Sequence, residues 1–319
     1  MKLRRRQLLA IGALVAAFPR LAFAGETPSG ERGGRAALGR FATTYANDAE
    51  HKARAFNVEL AAEAVDGRTI APGATFSFND AVGERTAAFG YAKALVLRDG
   101  MIAEGVGGGA CQVASTLHAA ALLAGLDVVV RVPHSRPSAY IRMGLDATVA
   151  FPKIDLKLRN PSDSPAIVRA RAGKGTLEVW IDAPGATKLE VSLRTEIVER
   201  LPFTRTIERD RSISDDKAHL KAFGIPGYRV RRTRTIQRAD GSVRRDVRVD
   251  VYPPTNAILR VAPSFDESRL GVRAGDEDDD ADDDREPAAI VVDPDAKTSR
   301  PVLVQLRPST VVTLDNAAP

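Results

Sequence analysis

One thiol, one imidazole and one carboxylate follow each other along this chain at spacings that suit cysteine-based acyl transfer. Cys111 is the only cysteine in 319 residues and closes the run Gly105-Val106-Gly107-Gly108-Gly109-Ala110-Cys111-Gln112. A helix-patterned stretch, residues 113–123, follows at once. A thiol attacks only as the thiolate, and a helix N-terminus favours the thiolate through its unpaired N–H groups and its dipole. Glycines ahead of it let the backbone turn and approach a substrate closely. His134, in Pro133-His134-Ser135, ends a β-branched stretch, residues 126–132, and a helix-to-strand return brings such an end beside the helix start. Asp146 heads the next strand pattern and is the first choice to hold the imidazole tautomer, with Asp155 the runner-up. The N–H groups of Cys111 and Gln112, or the Gln112 side chain, with Gly109 in support, would hold an oxyanion. Glu84, Arg85 and Ser135 are placed to grip a substrate. Each residue also has a plainer use: a lone cysteine suits a core, His134 suits a turn carbonyl, Asp146 suits a cap on Thr148, and Glu84 with Arg85 suits an internal salt bridge. His118, seven residues beyond the thiol, reads as structural.

The compartment sharpens the choice. Lys2, Arg4, Arg5 and Arg6 precede an apolar run, residues 8–17, and Ala22-Phe23-Ala24 offers a small-x-small cleavage site. This is the pattern of an export signal, residues 1–24. The run is far shorter than the ~20 residues that span a bilayer, and no transmembrane segment is expected after cleavage. Arg5-Arg6-Gln7-Leu8-Leu9 resembles a twin-arginine signal, a general secretory signal being the alternative. An exported Cys111 has no intramolecular disulfide partner. One cysteine and four scattered histidines lack the spacing of a zinc site, so neither metal nor cofactor is expected.

The formal net charge of +5 falls to near neutral once Lys2, Arg4, Arg5, Arg6 and Arg20 leave with the signal. Nine acidic residues crowd Asp276 to Glu286. Basic residues gather at Arg229 to Arg238 and Arg244 to Arg248, alternating with apolar positions as on a strand with a solvated polar face. Nucleic acid is not expected as a partner of an exported chain with that balance.

The positioning elements divide as follows. Residues 25–41 read as a flexible lead-in. Residues 42–188 read as an α+β domain: a short helix near 57–64, a strand through Asn79, a hairpin at Asp99-Gly100, the cysteine helix capped by Gly125, strands at 126–132, 146–151 and 155–160, and a closing hairpin from 166–170 and 176–181. Residues 189–262 read as a small all-β domain with a turn at Asp240-Gly241. Residues 263–319 read as an acidic linker and a disordered tail.

Several of these stretches together resemble the VanW family, named for a protein of glycopeptide-resistance clusters. They are Phe76-Ser77-Phe78-Asn79, Val82-Gly83-Glu84-Arg85-Thr86, Gly90-Tyr91, the glycine run through Cys111 to Leu117, Pro133-His134-Ser135 and Asp146-Ala147-Thr148-Val149. The resemblance covers roughly residues 53–180 and departs at His118-Ala119 and at Arg136. Leu201-Pro202-Phe203, Gly224-Ile225-Pro226-Gly227, Asp240-Gly241 and Pro253-Pro254 resemble, with only some of its glycines, the five-glycine extracellular β domain. The order of cysteine helix then histidine strand is also similar to papain-like and transglutaminase-like enzymes. The resemblance implies an exported cell-envelope protein whose VanW-like cysteine domain sets Cys111 at a helix N-terminus on an antiparallel sheet. It further implies an L,D-transpeptidase-like enzyme acting on peptidoglycan peptides, with wall glycan a second partner through the β region. A non-enzymatic wall-binding scaffold is the alternative.

Overall fold

The cysteine helix is built from residues that favour a helix and pack closely. The computed structural model describes residues 37–98, 101–187, 189–270, 290–292 and 312–315, all within the unit Glu31–Pro319. In chain order its first part holds β1 (Gly39–Thr44), α1 (Lys52–Val65), β2 (Thr69–Ile70), β3 (Thr75–Ser77), α2 (Phe78–Val82), β4 (Lys93–Arg98), β5 (Met101–Val106), α3 (Ala110–Leu123), β6 (Asp127–Val130), β7 (Lys157–Arg159), β8 (Ala166–Gly173) and β9 (Thr176–Asp182). The fold is α+β, with α1 and α3 laid on the antiparallel sheet β1-β9-β8-β2. Every residue of α3 is buried except Cys111. Its five alanines have the highest helix propensity and little bulk, so the helix sinks into the core beside Val58, Val168, Leu177 and Val179. Gly125, at φ 80°, ends it: Leu126 N–H reaches Ala121 O and Gly125 N–H reaches Leu122 O, a Schellman closure.

The second part is all-β: β10 (Glu190–Leu201), β11 (Arg205–Arg209), β12 (Ala218–Ala222), β13 (Gly227–Gln237), β14 (Val243–Tyr252), β15 (Ala257–Val261), β16 (Ile290–Val292) and β17 (Val312–Asp315). They form two four-stranded sheets, β14-β13-β10-β17 and β11-β15-β12-β16. In the second, β11 runs parallel to β15 and β12 parallel to β16.

Several expectations need correction. The lead-in was expected to reach residue 41, but β1 begins at Gly39 and pairs with Ile181. A Cβ on Gly39 would lie 2.3 Å from Ala124 N, so the glycine that made this stretch look unstructured is what lets β1 touch α3. The strand through Asn79 stops at Ser77, whose hydroxyl caps α2 by accepting from Asp80 N–H. Residues 146–151 form only isolated bridges, Val132 with Thr148 and Ala150 with Ile154. Within 263–319, expected to be an acidic linker and disordered tail, the described pieces β16 and β17 add to sheet edges at β12 and β10. The acidic run, the strand-like 302–306, the export signal and the Asp99-Gly100 turn lie outside the described residues. Arg98 pairs with Met101 across that turn.

The polar face of β14 also turns the other way. Val243, Val247, Val249 and Val251 are exposed, while Asp250 and Tyr252 are buried. In β13 it is Arg229 and Arg231 that face out, paired with Glu199 and Glu196, whereas Arg232 and Arg234 are buried. Two of the inward charges carry acid–base partners, Asp246 for Arg234 and Arg131 for Asp250, whereas Arg232 donates to His118 Nε2 and Gly144 O.

Candidate functional site

Three residues spaced along one stripe of α3 dock the segment that carries Asp146. Cys111, Ser115 and His118 lie at helical spacing, and their partners are alternate residues of an extended chain. The thiol exchanges 3.5 Å contacts with Val149 N–H and Val149 O. Ser115 Oγ accepts from Ala147 N–H at 2.9 Å, and His118 Nδ1 meets Leu145 O at 2.7 Å. Segment 145–149 therefore spends its polar groups on α3 side chains instead of a ladder, which is why its strand-like alternation makes no sheet.

Ahead of α3 the glycine run is held from below by buried Asn57. Its Nδ2 donates to Gly108 O and Ala92 O, and its Oδ1 accepts from Ala92 N–H. Gly109 sits at φ 121°, and a Cβ there would lie 2.9 Å from Val58 Cγ2. Only glycine fits this approach to the first turn. Cys111, the second residue of α3, is half-buried and unpaired to any other sulfur.

His134 is buried and held twice by one carboxylate oxygen. Asp146 Oδ2 accepts from His134 N–H at 2.7 Å and meets Nδ1 at 2.8 Å. That leaves Nε2 for the side of Tyr140 Oη, at 3.5 Å, and of the Cys111 thiol, with which the ring interacts electrostatically. Burial alone would push the Cys111 thiol up, but the imidazole beside it brings it below its ordinary value, helped by Val149 N–H and Arg85. Burial alone would lower His134; the Asp146 carboxylate and the thiolate instead raise it to about 9. The two shifts both run toward a thiolate–imidazolium pair. Asp146 is held well below the usual carboxylate range: desolvation opposes this, but the His134 bond and Arg131 outweigh it.

Asp146 is itself the centre of a buried network. Its Oδ1 accepts from Arg131 Nη2 at 2.8 Å and from Tyr252 Oη at 2.5 Å. Arg131 Nη1 donates on to Asp250 Oδ2 at 2.5 Å, and Arg248 Nε to Asp250 Oδ1. Tyr252 Oη also accepts from Gly144 N–H. Thus β14, from the second part of the chain, supplies two side chains that back the carboxylate.

The structure brings Cys111, His134, Asp146 and Gly109 together, with Arg85 beside them. Asp155, the alternative orienter, accepts instead from Ser77 Oγ, Asn79 N–H and Leu156 N–H. Gln112 needs correction as an oxyanion donor. Being buried, it must satisfy its own polar atoms: Nε2 donates to Thr43 Oγ1 and Thr44 O, Oε1 accepts from Arg54, and its N–H goes to Gly109 O. The N–H of Cys111 has no acceptor among the described residues and is the donor that remains. Arg85 bonds Asn79 Oδ1 and Gly83 O rather than Glu84. Glu84 and Ser135 are exposed, and no contact among the described residues ties them to the cluster. His118 is neutral: burial, then Arg232 and Arg131, hold it well below its ordinary value, and Arg232 Nη1 donates to its Nε2. Exposed Asp48 and Glu50 and half-buried His51 have side-chain ligand atoms within 4.8 Å of one another, with His51 already bonded to Asp48.

Sequence reasoning missed Arg54, Ser115, Arg131, Tyr140, Asp250 and Tyr252. The signal for Asp250 and Tyr252 was their period-two placement in β14, read with inside and outside exchanged.

An α+β module whose helix-start thiol meets an imidazole braced by a buried carboxylate defines a cysteine–histidine–aspartate site. Residues 53–181 match the family model of VanW like proteins, and this segment is VanW-like. Over 144 residues the chain is 40% identical to the uncharacterized protein YoaR of Bacillus subtilis (strain 168), covering 45% of this chain and 47% of that protein. Over 133 residues it is 34% identical to the Vancomycin B-type resistance protein VanW of Enterococcus faecalis (strain ATCC 700802 / V583), covering 40% and 44%. The chain spans about half the length of these curated relatives. Among solved structures, an IgA1 protease G5 domain aligns at 19% identity and a TM-score of 0.18, over 24% of this chain and 92% of that one. Among the described residues no helix is long and apolar enough to cross a membrane.

Proposed function

We propose that this protein is a cell-envelope cysteine acyltransferase acting on peptidoglycan stem peptides, of the L,D-transpeptidase or related peptidase type. The observation that carries the reading is His134, bonded to Asp146 through Nδ1 and facing the Cys111 thiol through Nε2. The vancomycin-resistance name of one relative supports a cell-wall peptide as substrate. The export pattern in residues 1–24 supports an envelope location.

The chemistry follows from the groups in place. The Cys111 thiolate attacks a peptide carbonyl carbon, forming the S–C bond, while the Cys111 N–H faces the developing oxyanion. Collapse breaks the C–N bond, and the His134 imidazolium gives its proton to the leaving amine. An acceptor amine or water then loses a proton to His134, attacks the thioester and frees the thiolate. Asp146 keeps the ring oriented and stabilises its positive charge throughout.

Incubation with muropeptides, followed by mass spectrometry of the Cys111 peptide, tests this reading. An acyl adduct that Cys111→Ala abolishes is expected. The reading fails when neither adduct nor new muropeptide forms. A wall-binding scaffold is the second reading, favoured by the exposed valine row of β14. It predicts pelleting with isolated wall sacculi that survives Cys111→Ser.

A further inference from the structure

Two guanidinium groups stand beside the thiol without an ion pair to any acid among the described residues, and we infer that they bind a carboxylate of the peptide substrate. This rests on the acyl-transfer reading of the site. Arg54, on α1, donates from Nη2 to Gln112 Oε1 at 2.8 Å, on the residue next to the thiol. Its guanidinium carbon lies 5.9 Å from the ring centre of Tyr140, whose hydroxyl reaches His134. Arg85 donates from Nη1 to Asn79 Oδ1 at 2.8 Å and to Gly83 O at 2.9 Å, and stands 5.9 Å from the ring centre of Phe151.

The glycine run is shaped to admit both. A Cβ on Gly107 would lie 2.6 Å from Arg85 Cβ, and one on Gly109 would lie 3.2 Å from Arg54 O. Both side chains are half-buried, and neither forms an ion pair with an acid among the described residues. The other charges of the site are matched. The thiolate faces the His134 imidazolium, Asp146 holds Arg131, and Asp250 holds Arg248. Arg54 and Arg85 are left without a bonded acid, since Asp155, which acts on Arg85 through space, spends its oxygens on Ser77, Asn79 and Leu156. Partly burying an unbalanced cation is costly unless an anion arrives. A planar guanidinium fork fits a carboxylate, with the charge-assisted hydrogen bonds that make such a contact strong. Each peptide substrate of the proposed class carries carboxylates, so the pair selects an acyl donor with one beside the reacting carbonyl.

Calorimetric titration of full-length Cys111→Ala separates binding from chemistry. The ligands are a stem tetrapeptide with free carboxylates and its fully amidated counterpart. Charged hydrogen bonds of this kind predict that amidation weakens binding at least about tenfold. Arg54→Gln and Arg85→Gln should each bring the acid peptide toward the amide's affinity, while Arg85→Lys, which keeps the charge, retains part of the preference. Equal affinity for acid and amide, binding of neither, or indifference to both glutamine substitutions overturns the inference. Carboxylate-selective binding without any thioester on the wild-type thiol would instead overturn the acyl-transfer reading alone.

Discussion

Cys111 and His134 each set the other's charge, and this fixes how the thiol should respond to pH. The thiol lies below its ordinary value and His134 at about 9. As pH falls, alkylation of Cys111 should persist below the ordinary thiol range near 8.5. In His134→Ala the midpoint should rise by roughly one unit or more, since the stabilising cation is gone. An unchanged midpoint, followed with a slow haloacetamide, would remove His134 from the site. Acyl transfer should decline as pH rises through about 9, because the imidazolium proton needed by the leaving amine is then lost. Asp146→Asn should lower turnover by roughly 10²–10⁴-fold by releasing the ring. It also leaves Arg131 short of a buried counter-charge, costing about 3–5 kcal/mol in a urea titration. At this scale chain order made the proximity of Cys111, His134 and Asp146 legible, their roles in acyl transfer being part of the proposal. Gln112 misled, because nothing in its neighbours reveals that Thr43, Thr44 and Arg54 absorb all its hydrogen-bonding capacity.

The α3 stripe is the unit that aligns the thiol with the segment bearing Asp146. Ser115 sits mid-stripe, exchanging contacts with Ala147 N–H and Ala147 O. Ser115→Ala should cost about 1–3 kcal/mol by leaving those groups unpaired, and should slow Cys111 alkylation as Val149 shifts. Gly109→Ala forces a β-carbon toward Val58 at φ 121°. It should cost on the order of 1–3 kcal/mol from backbone strain alone, measured by thermal melting, with thiol reactivity lost in step. Helix α3 was legible from its alanine-rich run, because local propensity and burial agree there. The 146–151 segment was not, because alternation along a strand looks the same whether its partner is another strand or a row of side chains on a helix.

At the level of the whole molecule, β14 and the VanW-like segment share one buried polar network. Tyr252 meets Asp146 and Gly144, and Asp250 meets Arg131, all at positions more than a hundred residues apart in sequence. A double-mutant cycle on Asp146→Asn and Tyr252→Phe should therefore show about 1–3 kcal/mol of coupling in unfolding free energy; strict additivity would mean the two parts are energetically separate. The all-β character of residues 190–261 was visible in the sequence, but its orientation was not. Alternation alone does not say which face is wet, and here arginines and Asp250 go inward while valines go out.

The bond from Tyr252 to Asp146 spans 106 positions, and that interval has a consequence in time. A chain made from its N-terminus completes the thiol, the imidazole and the carboxylate long before β14 exists. The nucleophile is thus present early but braced late, so the newly made protein passes through synthesis with its carboxylate waiting for the strand that fixes it.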